Sequence, residues 1–284
     1  MINIPMLAGL LLANSAAFDS SSTGVSPPET DLVTPPSLHV VASAYGSVGS
    51  YTTDTRSKSA SAYITLSNEW RDYYTVGFAS LWLERDDMGG KYYSQQLLAG
   101  RGSWLLDPQT NLFGVYAYLH ESEIVSYSSS ASFHLLGGGG SYWFSLTEVA
   151  GGAIVASTSQ GKLQSGAARG FFSFHLTEGV WLTSAATYTK AQWTPSMFVF
   201  RQSVSVPLGG ENHLVASADI GRRAFFFDDD LLIVYNQRSV QTGSYVLKGT
   251  IRVFDHFYVI PLLQYDTFDD YQVKYGSLGL RVVY

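Results

Sequence analysis

From residue 38 onward the chain alternates apolar and polar positions with a period of two, in runs of roughly ten residues separated by turn residues. The last run shows the pattern well. Leu278, Leu280, Val282 and Tyr284 interleave with Ser277, Gly279, Arg281 and Val283, and in a strand the two sets point to opposite faces. Ala60, Ala62, Ile64, Leu66 and Trp70 alternate in the same way with Ser59, Ser61, Tyr63, Thr65, Ser67 and Glu69. Leu38, Val40, Ala42, Ala44 and Val48 are set against His39, Ser43, Tyr45 and Ser47; Phe113, Val115, Ala117 and Leu119 against Tyr116, Tyr118 and His120; and Leu214, Ala216, Ala218 and Ile220 against His213, Ser217 and Asp219. Residues 73–85 and 231–238 are apolar on both faces. No stretch carries convincing helical periodicity, so the predicted elements are strands throughout.

The connections alternate in kind. Short turns at 71–72, 107–110, 145–148, 177–179, 207–212, 228–230 and 255–256 are interleaved with polar connections at 50–58, 86–90, 122–130, 158–164, 190–196, 239–243 and 267–270. This predicts an all-β, antiparallel up-and-down barrel of about sixteen strands, with about fourteen as the alternative. The count turns on whether residues 213–227 fold back near Gly221. Aromatics beside the short turns (Trp70, Tyr73, Tyr74, Trp104, Phe113, Trp143, Phe144, Trp181, Phe226, Phe254 and Phe257) predict an interfacial girdle at that end.

Composition explains what covers the apolar faces. Charged residues make up only 14% of the 284 residues and aromatics another 14%, against about 25% charged in ordinary soluble domains. Outside the first segment there is no run long enough for a membrane helix. Apolar residues dispersed by alternation are what a closed transmembrane barrel requires, because every backbone group must pair inside lipid. There is no cysteine, which excludes disulfides and thiolate metal sites. A net charge of -6 argues against nucleic acid as a partner.

Residues 1–17 read as a hydrophobic signal segment ending in small residues, although without the usual basic start. Residues 18–37, rich in Ser, Thr and Pro, read as a disordered periplasmic leader. Residues 38–284 form the barrel.

The terminal strand, alternating runs, girdle and loop asymmetry together resemble Gram-negative outer-membrane β-barrel proteins of porin-like type, over residues 38–284. The resemblance implies a bacterial outer-membrane location, with outer-membrane lipid and lipopolysaccharide around the wall and no cofactor. It also implies that Leu278, Leu280, Val282 and Tyr284 serve as the signal read by the barrel-assembly machinery. A homo-oligomer is compatible with it.

Projection by parity places Arg101, Arg169, Arg201, Lys248, Arg252 and Arg281 toward the lumen, with Glu69 and Asp219 as acidic counterparts. Basic rings favour anions in a pore, and the same residues also brace a closed lumen by pairing. The first reading is therefore a passive channel for small polar or anionic solutes. A second reading is an export conduit for a secreted polysaccharide, with Tyr63, Tyr116, Tyr118 and Trp181 lining a sugar path. A third is an outer-membrane hydrolase built from His120, Glu121 and the nearby serines at 126 and 128–130, but no nucleophile elbow is present, so no catalytic residue is assigned. His39, His134, His175, His213 and His256 show no metal-ligand spacing. The Gly137–Gly140 run, lying mid-strand with no helix beside it, is read as permitting close strand approach, bending, or room for a bulky lumen group opposite.

Overall fold

The computed structural model describes residues 38–68, 72–123, 129–177, 179–228 and 233–284. The strands are β1 (Leu38–Tyr51), β2 (Thr55–Asn68), β3 (Asp72–Arg85), β4 (Gly90–Leu105), β5 (Thr110–Glu123), β6 (Ser129–Ser145) and β7 (Glu148–Ser159), followed by β8 (Lys162–Thr177), β9 (Val180–Ala191), β10 (Met197–Gly209), β11 (Asn212–Asp228), β12 (Ile233–Phe254), β13 (Phe257–Phe268) and β14 (Gln272–Val283). Each pairs antiparallel with its sequence neighbours, and β1 closes the ring on β14 from Val41↔Val283 to Tyr51↔Val273. Closure leaves no unpaired edge, as a wall in lipid demands.

The pattern that predicted the strands also sets their faces. In β2 the small polar set Ser57, Ser61, Thr65 and Ser67 is buried inside, while Ile64 and Leu66 are exposed outside. Val48, Phe78, Leu98, Ile154, Phe198, Ile220, Leu263 and Leu278 are likewise exposed on the outer wall. Water does not accommodate an apolar belt of that extent, whereas acyl chains do.

The barrel has fourteen strands among the described residues, so the smaller of the two expected counts holds. Residues 213–227 do not fold back. Gly221 has φ 133°, a conformation that disfavours any side chain, and it sits where the β11–β12 pairing shifts between Ile220 and Arg223. Residues 239–243, expected to be a loop, lie within β12 and are absorbed by a second shift between Gln241 and Gly243. Bulges of this kind bend a strand without ending it. Beyond Gly221 and Gln241, β11 and β12 pair only with each other, as far as Asp228↔Ile233. That hairpin extends past its neighbouring strands, its base tied to the β13–β14 turn by the Asp269 N–H donating to the Val240 carbonyl at 3.0 Å and by the Arg222–Asp269 ion pair at 2.7 Å.

Six connections lie at the end that also holds Leu38 and Val283, termed the turn end; the opposite, loop end carries the hairpin. At the turn end Asp107 accepts hydrogen bonds from the backbone N–H of Gln109 (2.8 Å) and Thr110 (2.9 Å), which hold its carboxyl below the usual carboxylate range. The girdle is smaller than expected. Tyr74, Trp104, Phe144 and Phe254 face out, with Trp104 Nε1 donating to the Tyr74 hydroxyl at 3.0 Å. Tyr73, Phe113, Trp143 and Trp181 share the inward register of Thr75, Val115, Ser141 and Thr183, and Phe226 is at the other end, in the β11–β12 hairpin. Trp70 lies outside the described residues.

The Gly137–Gly140 run does serve close approach. A Cβ on Gly139 would stand 2.0 Å from the Gly152 carbonyl oxygen and 2.8 Å from the Ala153 Cα, both backbone atoms. At Gly46, on the lipid side of β1, a Cβ meets nothing within 4 Å. Gly139→Ala is therefore expected to lower unfolding midpoints in urea, at a cost of about 1–3 kcal/mol, while Gly46→Ala leaves them unchanged.

Candidate functional site

The lumen is the site, and its loop-end half is filled by side chains. From β3 to β6 the inward set is largely apolar: Leu81, Leu83, Leu97, Leu119 and Leu135, each 1% exposed or less, with Ala79, Ala99, Val115 and Ala117 between them and the buried Gln95 beside Leu97. From β1, β2, β13 and β14 come Tyr45, Tyr51, Tyr63, Ile260, Phe268, Val273 and Tyr275, which join the leucines in one contiguous cluster. The Tyr51 and Tyr275 hydroxyls meet at 3.0 Å, and Phe268 stacks on Tyr271 with centroids 4.4 Å apart. Three tyrosine rings lie over glycines on adjoining strands: Tyr45 over Gly279, Tyr63 over Gly77 and Tyr275 over Gly49. The missing side chain leaves room for each ring against the wall.

Across the lumen, β10 to β13 supply a buried ionic network. Arg201 makes a bidentate pair with Asp219 (2.6 and 2.9 Å), and Arg223 reaches Oδ2 of the same carboxylate at 3.0 Å. Arg223 also donates to Gln241, and Gln264 donates to Asp266 and Ser244. One carboxylate between two guanidiniums leaves a local excess of positive charge, which Asp266 and Arg169 border electrostatically.

The expected lumen residues are distributed unevenly. Arg101, Arg169, Arg201, Lys248 and Arg281 occupy inward register positions opposite Val115, Ala153, Ala185, Val215 and Ser43. Several are engaged: Arg101 lies 4.3 Å from the Phe113 ring centroid, Arg169 5.8 Å from that of Phe171, and Arg281 meets the Tyr45 hydroxyl. Arg252 stands at the turn-end mouth, ion-paired with Glu211 (2.6 Å) and Asp255 (2.7 Å). Asp219 is the hub of the network, and Glu69 lies outside the described residues.

Two expectations are overturned in β5. Tyr116 and Tyr118 face outward, on the same wall as exposed Leu98 and Leu136. The more apolar set of β5 is the one that turns inward, because there it meets leucines from β3, β4 and β6 instead of water. His120 and Glu121 consequently lie on opposite faces of the wall and cannot share a site. Among the described residues no group of three His, Asp or Glu side chains is arranged to hold a metal. The residues missed from the sequence are Arg223, Gln241, Gln264 and Asp266. Arg223 keeps the inward parity of Asp219 and escaped because the chain was expected to fold back near Gly221, whereas Asp266 was legible from alternation along β13.

No protein-family model matches the chain, and no curated protein does. Solved structures do. The CymD monoaromatic hydrocarbon channel superposes with a TM-score of 0.60 at 7% identity, over 87% of each chain. A TodX mutant monoaromatic hydrocarbon channel gives 0.59 at 7%, over 88% of this chain and 90% of that one. The Pseudomonas putida toluene transporter TodX gives 0.50 at 7%, over 87% and 88%. At such identity the likeness is one of fold, a closed up-and-down β-barrel.

Proposed function

We propose that the chain is an outer-membrane channel for small, apolar or aromatic solutes, and not an enzyme. The observation that carries this is the inward wall of Leu81, Leu83, Leu97, Leu119 and Leu135, buried in one cluster with tyrosines. A polar diffusion pore keeps a hydrated interior. An apolar interior instead offers a hydrocarbon the transfer free energy of leaving water, about 25 cal/mol per Å². The names of the similar structures, channels for monoaromatic hydrocarbons and toluene, support the same class. In this reading the turn end faces the periplasm, and the outer face of β14 (Leu278, Leu280, Val282, with Tyr284) is the strand surface offered to the barrel-assembly machinery.

A polar or anionic solute is the second reading, carried by the inward register of Arg101, Arg169, Arg201, Lys248 and Arg281. The polysaccharide conduit loses two of the four aromatics on which it rested, since Tyr116 and Tyr118 face lipid. Planar-bilayer recording and radiolabelled toluene uptake by cells with an intact outer membrane separate the two classes. The expected result is no ohmic conductance from the purified protein and slower toluene uptake in a strain lacking it. Large anion-selective steps with unaltered toluene uptake would establish the second reading instead.

A further inference from the structure

The outer wall of β5 and β6, toward the loop end, carries a cluster of polar side chains beside exposed leucines. Tyr118 is paired with His134, and His120 with Ser132. Leu98 on β4 flanks Tyr118, and Leu136 follows His134 on the same face; both are exposed. The polar residues are bonded among themselves. The Tyr116 hydroxyl lies 2.8 Å from His134 Nδ1, the Tyr118 hydroxyl 3.0 Å from Ser132 Oγ, and Ser132 Oγ 3.1 Å from His120 Nδ1.

Those contacts admit one arrangement in which every hydroxyl donates. When Tyr116 donates to His134, Tyr118 to Ser132 and Ser132 to His120, every hydroxyl proton is used inside the cluster. In that arrangement each Nδ1 accepts, and the ring proton sits on Nε2. Neither Nε2–H has a hydrogen-bond acceptor among the described residues. Two neighbouring donors on a lipid-facing wall are costly in hydrocarbon, and polar groups placed there mark functional sites. An acceptor from outside the chain answers both. Further polar residues continue toward the loop end: Gln96 stands opposite His120, and the Ser94 and Ser122 hydroxyls meet at 3.2 Å.

We propose that this cluster binds the phosphorylated headgroup of an outer-leaflet glycolipid, with His120 and His134 donating to its phosphate oxygens and the tyrosine rings flanking its sugar. The inference rests on the outward orientation of the loop end given above, and it is independent of which solute the lumen passes. A serine hydrolase is the competing use of Ser132 and His120. It is disfavoured because Glu121 lies on the opposite face and no described carboxylate stands behind the imidazole.

The test is lipopolysaccharide retention by full-length protein extracted from outer membranes in mild detergent, measured by native mass spectrometry. Wild type is expected to retain it. The double variant His120→Phe, His134→Phe loses it while keeping the wild-type heat-dependent gel shift, since phenylalanine suits a lipid-facing wall. His120→Gln with His134→Gln restores an N–H donor at each position and recovers retention. Equal retention by wild type and the Phe variant overturns the proposal, as does preferential retention of phospholipid, which would place the cluster in the other leaflet. Fatty-acid release by wild type that Ser132→Ala abolishes also overturns it, in favour of the hydrolase. Toluene uptake measured in parallel keeps a failure of the channel reading distinct from a failure of this one.

Discussion

Asp219→Ala is expected to lower the free energy of unfolding by about 3–5 kcal/mol, the usual cost of breaking a buried ion pair from one side. The carboxylate is the shared partner of Arg201 and Arg223, and the Arg223 side chain is only 4% exposed. Removing it leaves two guanidiniums facing one another without their shared carboxylate, and the buried Arg223 has little water to screen it. Urea titration of the heat-dependent gel shift measures the loss. Adding Arg201→Met and Arg223→Leu to Asp219→Ala is expected to recover most of it, since packed apolar groups replace buried pairs at little net cost. A single-variant loss of only about 0–1 kcal/mol, the range of exposed pairs, would mean that the network is hydrated and that the lumen is open on this side.

The second large effect concerns conduction. Leu97→Ser combined with Leu119→Ser, which removes two facing leucines of β4 and β5, is expected to convert a silent barrel into one with resolved single-channel steps in planar bilayers. Leu97→Ala with Leu119→Ala opens similar space but leaves it apolar, and apolar cavities stay dry. That variant remains electrically silent and admits bulkier aromatic solutes. Each truncation destabilises by about 2–5 kcal/mol, so both variants are compared at temperatures where the gel shift shows them folded. Conduction by the wild type at the level of the serine variant would remove the filled lumen as the basis of selectivity.

Alternation along the chain was enough to show the barrel, its closure of the last strand on the first, and which residues of β2 face which way. A period of exactly two leaves no intermediate orientation, so a half-buried strand declares its faces. Strand number was harder, because bulges at Gly221 and near Gln241 insert polar residues into continuous strands and imitate loops. The filled lumen was not legible. Parity tells which side a leucine is on, but not whether side chains from other strands reach it. Thus residues 73–85 read only as apolar on both faces, whereas Leu81 and Leu83 prove to be part of the plug. The same logic misled the reading of β5, where the polar set was assigned to the lumen on the assumption of water inside. Once the interior is apolar, Tyr116, Tyr118 and His120 belong outside.

The seam between β1 and β14 differs from every other pairing in the barrel in how far along the chain its partners lie. The other neighbours are joined by connections of a few residues, whereas Tyr51 and Tyr275, which touch through their hydroxyls, are separated by 224 positions. Closing a loop of that length costs on the order of 4 kcal/mol more in chain entropy than closing a hairpin turn. The ionic hub, by contrast, draws on consecutive strands and forms as the sheet is laid down. The seam is therefore the last part of the wall to zip, and until it does both of its strands present unpaired backbone to the bilayer. The Tyr51–Tyr275 contact reports completion of the ring, and an agent that holds β1 and β14 apart while the other twelve strands assemble carries the barrel through its most exposed stage.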